Sequence, residues 1–152
     1  MERIDCSTAA LAYLGDSVIE LCVREHLVRS GLSSSARLNS VALEYVKASK
    51  QAEAMKSILP VLTEEEESIF KRGRNMGHTN TPKSATVSEY RAATGMECLF
   101  GYLHLLGRQD RIRELFALAY KTENTEKEGN ENGKSVNSGN SCNLNEQTSR
   151  TR

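Results

Sequence analysis

The sequence has little of what interrupts or anchors a chain: it has no tryptophan, only two prolines in 152 residues, and 5% aromatic residues. Proline is the residue that most strongly ends a helix, so a chain with only Pro60 and Pro82 leaves long segments in which helices can form. No segment alternates apolar and polar residues as half-buried β-strands do. These absences predict an all-α fold.

The sequence also lacks a net charge and a long apolar run. Its 20 basic and 20 acidic residues cancel, so net charge indicates neither a nucleic-acid partner nor an acidic one. No run approaches the roughly 20 apolar residues that span a bilayer, and no basic-then-apolar leader opens the chain. The four cysteines form no CxxC pair, which argues against a zinc site or a disulfide framework. We expect a soluble cytoplasmic protein with no membrane partner.

Composition changes sharply after Tyr120. Residues 1–120 carry apolar side chains at helical spacing, whereas residues 121–152 are mostly Asn, Ser, Glu, Gly, Lys and Thr. A segment of that kind cannot bury enough apolar surface to offset the entropy of ordering. We therefore predict one domain at 1–120 and a disordered polar tail at 121–152.

The domain is predicted to hold five or six helices, separated by the residues that cap or end them. Thr63 and Glu66 are spaced as a capping box, in which each side chain bonds the backbone N–H of the other residue. The apolar spacing and the caps predict helices at 7–31, 33–59 (with a break left open), from 63 onward, 88–106 and 110–120, with a loop at 76–86.

A glycine and an aspartate stand inside the apolar helix predicted at 11–24. Glycine costs about 1 kcal/mol relative to alanine within a helix, and aspartate is also a poor helix former. Something other than helix stability must explain Gly15 and Asp16. We therefore take Asp16 as a candidate functional residue.

A second acid, Glu97, stands among apolar residues of the helix predicted at 88–106. Gly95 and Gly101 remove side-chain bulk around it, which would let another helix or a ligand approach closely. If this helix packs against the first, Asp16 and Glu97 can face the same point. Two carboxylates completed by water are a usual way to hold Mg²⁺.

The pattern leaves a structural alternative open for each acid. Glu97 can lie at the rim of the core or pair with Arg91. Glu20 is better explained by an ion pair with Arg24, four residues later on the same helix.

Basic residues cluster between positions 71 and 91, where Glu89 is the single acid. A local basic segment beside a glycine-containing loop suits contacts with phosphate groups. The alternative is a solvated surface loop. The candidate RNA contacts in this segment are Lys71, Arg72, Arg74, Asn75, Lys83 and Arg91.

Three motifs in order resemble the ribonuclease III family, and most closely its Mini-ribonuclease III branch. They are LAYLGDSVIE at 11–20, RGRN at 72–75 and YRAATGMECLFGYL at 90–103. The resemblance covers essentially residues 1–120. It implies the ribonuclease III helical bundle, which forms a homodimer.

The resemblance also implies an activity: Mg²⁺-dependent endonucleolytic cleavage of double-stranded or structured RNA. Asp16 and Glu97 fall on the family's metal-binding catalytic residues. Larger members have two further acids, which are Ala12 and Thr94 here. Members of the Mini branch lack these acids too, so a sparse ligand set is expected.

The polar tail is too short and too hydrophilic for the double-stranded-RNA-binding domain of the larger enzymes. RNA must then be held by the nuclease domain itself. For the Mini branch the implied task is maturation of the ends of the 23S ribosomal RNA precursor, with large-subunit ribosomal proteins as candidate partners. The alternative is a non-catalytic ribonuclease III-fold protein that binds structured or ribosomal RNA, but both acids are present and favour an enzyme.

Overall fold

The structure, a computed structural model, describes residues 4–77 and 82–122. Within those ranges it contains six α-helices, one 3₁₀ turn and no β-strand, so the all-α prediction is confirmed. The elements are α1 Thr8–Arg29, α2 Ser35–Val46, α3 Ala48–Ile58, the turn Leu59–Val61, α4 Glu64–Arg74, α5 Val87–Leu105 and α6 Gln109–Tyr120. Most of the predicted tail, 123–152, lies outside the described residues. No described helix is both long and apolar enough to cross a membrane.

Side-chain caps fix where the long helices begin. The hydroxyl of Ser7 accepts a hydrogen bond from the third residue of α1, and Thr63 and Glu66 form the predicted capping box of α4. A second capping box, between Thr86 and Glu89, starts α5 one residue earlier than predicted. Its T-x-x-E spacing was readable in the sequence.

The stretch predicted at 33–59 is broken in two. Lys47 has an extended backbone (φ −61°, ψ 140°) and separates α2 from α3. Pro60 then lies inside the short 3₁₀ turn, because its ring suits a first helical turn better than a helix interior. No residue of α2 is fully buried. It packs a half-buried apolar side against the core at the edge of the domain.

Helix α5 is the centre of the core. Its neighbours α1, α3, α4 and α6 pack around it. Ten of its 19 residues are buried, namely Ala93, Thr94, Gly95, Met96, Cys98, Leu99, Phe100, Gly101, Tyr102 and Leu103. A helix that is apolar on nearly all sides is stable only when other helices enclose it. The packing on several sides therefore restricts the movement of α5 and of the side chains that it positions.

One buried ion pair ties α6 to the start of α4. Glu66 is 1% exposed, and its carboxylate accepts hydrogen bonds from Nε and Nη2 of Arg111 at 2.9 and 2.8 Å. Arg111 also donates to the carbonyl of Val61 at 2.7 Å. Burial raises the pKa of Glu66, but the hydrogen bonds from Arg111 and from the backbone N–H of Thr63 outweigh it, so the pKa is lowered. Glu66 therefore stays ionised in the core.

We expect Arg111→Ala to destabilise the fold by about 3 to 5 kcal/mol, because it leaves a buried carboxylate without its partner. Urea or thermal unfolding of the full chain measures the loss. Arg113→Ala is the matched control: Arg113 lies on the same helix but pairs with Asp110 at the surface, so it should change stability little. Equal effects of the two substitutions would contradict this account.

Candidate active site

Helices α1 and α5 cross with their backbones in contact. A Cβ atom on Gly15 would lie 1.7 Å from the carbonyl oxygen of Glu97, and one on Gly101 would lie 2.2 Å from the carbonyl oxygen of Leu11. No real side-chain carbon tolerates such distances. The space left by these glycines is therefore filled by a second helix. The sequence had left open whether a helix or a ligand would approach there.

The crossing brings the two candidate acids together. Asp16, next to Gly15, is exposed, and Glu97 is partly buried. Burial, and to a smaller extent the negative charge of Asp16, together raise the pKa of Glu97 to about 7. Glu97 forms no ion pair within the described ranges, so the suggested pairing with Arg91 is absent there. The interpretation of Glu20 is confirmed, because Glu20 pairs with Arg24 at 2.5 Å.

The donor set fits a divalent cation that prefers oxygen ligands. An ionised Glu97 is disfavoured both by burial and by Asp16, and a cation placed between the two carboxylates would relieve both effects. No cluster of three or more His, Cys, Asp or Glu side chains suited to a metal occurs among the described residues. A cation here would need water to complete its shell, as Mg²⁺ commonly does.

The two positions where the resemblance implies further acids in the larger enzymes are buried and carry no carboxylate. Ala12 is 8% exposed and packs beside Cys98 and Tyr102. Thr94 is 4% exposed, and its hydroxyl donates to the carbonyl of Tyr90 at 3.0 Å. The sparse ligand set stays a prediction.

Several of the predicted RNA contacts already have partners in the protein. Lys71 pairs with Glu67 at 2.8 Å, and Arg72 donates to the hydroxyl of Thr8 at 3.2 Å. Arg74 contacts the side-chain oxygen of Asn75 at 3.4 Å. These residues lie in the last turn of α4 or just after it, where basic side chains also complement the helix dipole.

The remaining two predicted contacts, Lys83 and Arg91, are exposed, just before α5 and in its second turn. Four residues of the intervening loop, 78–81, lie outside the described part of the chain. The structure therefore describes two separate portions of the basic segment. Its role in binding RNA stays a prediction.

Comparison with known proteins matches this architecture to one family. The model of the Ribonuclease III domain matches residues 9–108, which include Asp16 and Glu97. The chain belongs to the ribonuclease III domain family. The predicted resemblance is confirmed by relatives named Mini-ribonuclease 3. One from Brevibacillus brevis is 42% identical over 110 residues, covering 72% of this chain and 82% of the relative.

Further relatives and one solved structure agree. A Mini-ribonuclease 3 from Enterococcus faecalis is 45% identical, covering 70% of this chain and 82% of the relative. A crystal structure of a protein from Fusobacterium nucleatum superposes with a TM-score of 0.69 at 33% identity, covering 78% of this chain and 94% of that one. Family membership supports a ribonuclease. The individual roles of Asp16 and Glu97 stay predictions.

The low bulk of Gly95 was recognised in the sequence, but Gly73, which meets it at a second close helix crossing, was not predicted. A Cβ atom on Gly73 of α4 would lie 2.8 Å from Cα of Gly95, and one on Gly95 would lie 2.5 Å from the ring of Phe70. Gly73 stands within a predicted helix, at the second position of the RGRN motif. A glycine inside a helix costs stability and usually has a packing reason, so its position was a usable signal.

We expect Glu97→Gln to change how stability depends on pH in metal-free buffer. The pKa of Glu97 is raised from 4.5 to about 7, so between these values the folded protein holds a proton that the unfolded chain releases. The buried charge of Glu97 therefore lowers the free energy of unfolding. This loss is absent below the unfolded-state pKa and complete above the folded-state pKa, where it amounts to at most roughly 3 kcal/mol. Glutamine removes it.

Melting temperatures in EDTA across this pH range measure the effect. The difference between variant and wild type should grow in the variant's favour as the pH rises. Glu53→Gln, on the exposed side of α3, controls for the loss of a carboxyl group as such. Parallel curves for wild type and Glu97→Gln would contradict the prediction.

Proposed function

We propose that this chain is a Mg²⁺-dependent endoribonuclease that hydrolyses phosphodiester bonds in double-stranded or structured RNA. Its task would be maturation of the ends of the 23S ribosomal RNA precursor in the cytoplasm. The observation that carries the proposal is the placement of Asp16 beside a partly buried Glu97 at the α1–α5 crossing.

Asp16 and Glu97 are the residues that would hold the cation. When bound, Mg²⁺ supplies a Lewis acid that activates water and offsets negative charge at phosphorus. The exposed carboxylate of Asp16 stands on the solvent side, where a phosphodiester can reach it. Glu97 sits deeper, on a helix enclosed by its neighbours, so its position changes little between free and bound states. Products with 5′-phosphate and 3′-hydroxyl ends follow from the family resemblance.

The basic residues around α4 and α5 would hold the RNA backbone. Arg74, Lys83 and Arg91 are exposed, and A-form RNA is recognised mainly through its shape, phosphates and 2′-hydroxyls. Lys71 can contribute only by exchanging Glu67 for a phosphate. Arg72 already bonds the start of α1, and its substitution should disturb both binding and the fold.

We also propose that the active form is a homodimer. The outer face of α1 exposes three apolar side chains, since Tyr13 is 85%, Leu21 63% and Val28 61% exposed. Their spacing of eight and seven residues places them on one side of the helix. That side would suit a second copy of the chain. Ribosomal proteins of the large subunit are a further candidate partner.

Cleavage of a labelled RNA duplex by the full chain tests the activity. We expect cuts in Mg²⁺, none in EDTA, and a loss of at least 100-fold in Asp16→Asn with RNA binding retained. Asp110→Asn, which removes an exposed acid from α6, should cut like the wild type. Tight binding of several duplexes without any cut would favour the non-catalytic alternative instead.

A second measurement tests the RNA contact. Arg74→Ala should weaken binding and reduce the slope of log affinity against log salt concentration by about 0.7 to 0.9, the value for one phosphate contact. Arg113→Ala, an exposed arginine on α6, is the control and should leave the slope unchanged. An unchanged slope in Arg74→Ala would remove this residue from the interface.

A further inference from the structure

Where α1 and α5 approach most closely, the atoms nearest to Gly15 and Gly101 are backbone atoms of the other helix. A Cβ on Gly15 would lie 1.7 Å from the carbonyl oxygen of Glu97 and 2.9 Å from the amide nitrogen of Gly101. A Cβ on Gly101 would lie 2.2 Å from the carbonyl oxygen of Leu11 and 3.0 Å from the amide nitrogen of Gly15. Backbone cannot rotate aside as a flexible side chain can. Any larger residue must therefore push the helices apart.

This contact is also the mechanical link between the two candidate acids. Gly15 directly precedes Asp16, and its closest neighbour is the carbonyl group of Glu97 itself. Gly101 follows Glu97 by four residues, one turn along the same helix. At these two glycines the nearest atoms across the crossing are backbone atoms, so this contact limits how closely the parts of α1 and α5 that carry the acids approach.

We propose that Gly15 and Gly101 are positioning residues that fix the separation of the Asp16 and Glu97 carboxylates, and with it the affinity of the cation site. The inference rests on the proposed function. A side-chain carbon reaches ordinary contact only at 3.4 Å or beyond, so alanine at Gly15 requires a displacement of about 1.7 Å. Errors of about 1 Å in a functional constellation are already costly.

The α4–α5 crossing supplies an internal comparison on the same central helix. Gly95 faces Phe70 of α4, with a Cβ contact that would be 2.5 Å. Alanine there is also crowded, but it moves α4 rather than α1. Gly95→Ala is thus a matched control, since it disturbs a glycine crossing of α5 without parting Asp16 from Glu97.

The test is Mn²⁺ binding by the full chain without RNA, measured by titration calorimetry and by the loss of the free Mn²⁺ resonance signal. Mn²⁺ is the probe because it takes oxygen ligands like those of Mg²⁺. We expect affinity to fall at least tenfold in Gly15→Ala and Gly101→Ala. Gly95→Ala should bind as the wild type does, even where its melting temperature falls as far.

A lengthened acid supplies a readout that a merely structural role would not move. In the wild-type background, Asp16→Glu should weaken Mn²⁺ binding because the carboxylate is displaced by one methylene group. In the Gly101→Ala background the same change should partly restore binding, because it spans the widened gap. Such opposite effects measure coupling between the two positions. Equal losses in both backgrounds would overturn the proposal.

The remaining outcomes of the Mn²⁺ experiment would each contradict the proposal or the function on which it rests. Folded Gly15→Ala and Gly101→Ala that bind Mn²⁺ like the wild type would reduce the glycines to packing. Failure of both variants to fold, with Gly95→Ala folded, would equally overturn a positioning role separable from the fold. If Asp16→Asn leaves Mn²⁺ binding intact, the metal site of the proposed function fails first, and that result is distinct from failure of the glycine variants alone.

Discussion

Enclosure of α5 by its neighbours is the constraint on which the rest of this structure depends. Four helices, α1, α3, α4 and α6, pack against α5 and leave it little surface exposed to solvent. Two of these neighbours approach at glycines, where backbone meets backbone or an aromatic ring. Glu97 lies at one of these close contacts, which fixes the position of its backbone. The burial that results from the same packing disfavours the ionised form of its side chain.

The candidate site carries only two carboxylates, and their electrostatics would favour a positive charge between them. Ala12 and Thr94 are buried and neither carries a carboxylate, and the hydroxyl of Thr94 is bonded to the carbonyl of Tyr90. The two remaining carboxylates are close enough for one to raise the pKa of the other. The metal-free protein relieves this repulsion by holding a proton on Glu97, and a cation between the two carboxylates would favour its ionised form.

Local features of this fold could be predicted, whereas contacts between distant segments could not. Ser7, Thr63 and the apolar spacing of the helices act within a few residues, and the sequence shows them directly. The break at Lys47 has neither proline nor glycine to announce it. The pair of Glu66 and Arg111 joins positions 45 residues apart, and no spacing rule connects them.

The candidate site divides in the same way. The motifs singled out Asp16 and Glu97, and the oddity of Gly15 was visible in its helix. The reason for that glycine is a carbonyl group on another helix, which becomes visible only once α1 and α5 are packed. The basic segment illustrates the opposite case, because a cluster in sequence turned out to include side chains already engaged by Glu67 and Thr8.

The unequal burial of α5 and α2 has a consequence for how such a chain can diverge. More than half of the residues of α5 are buried, and a side chain at either Gly95 or Gly101 would be crowded by a neighbouring helix. Helix α2 has no fully buried residue, so most changes there meet water rather than packed atoms. Substitutions should therefore accumulate in α2, at the edge of the domain, more readily than in α5. Two proteins that diverged from this chain would keep the most similar sequence along α5, its most buried helix.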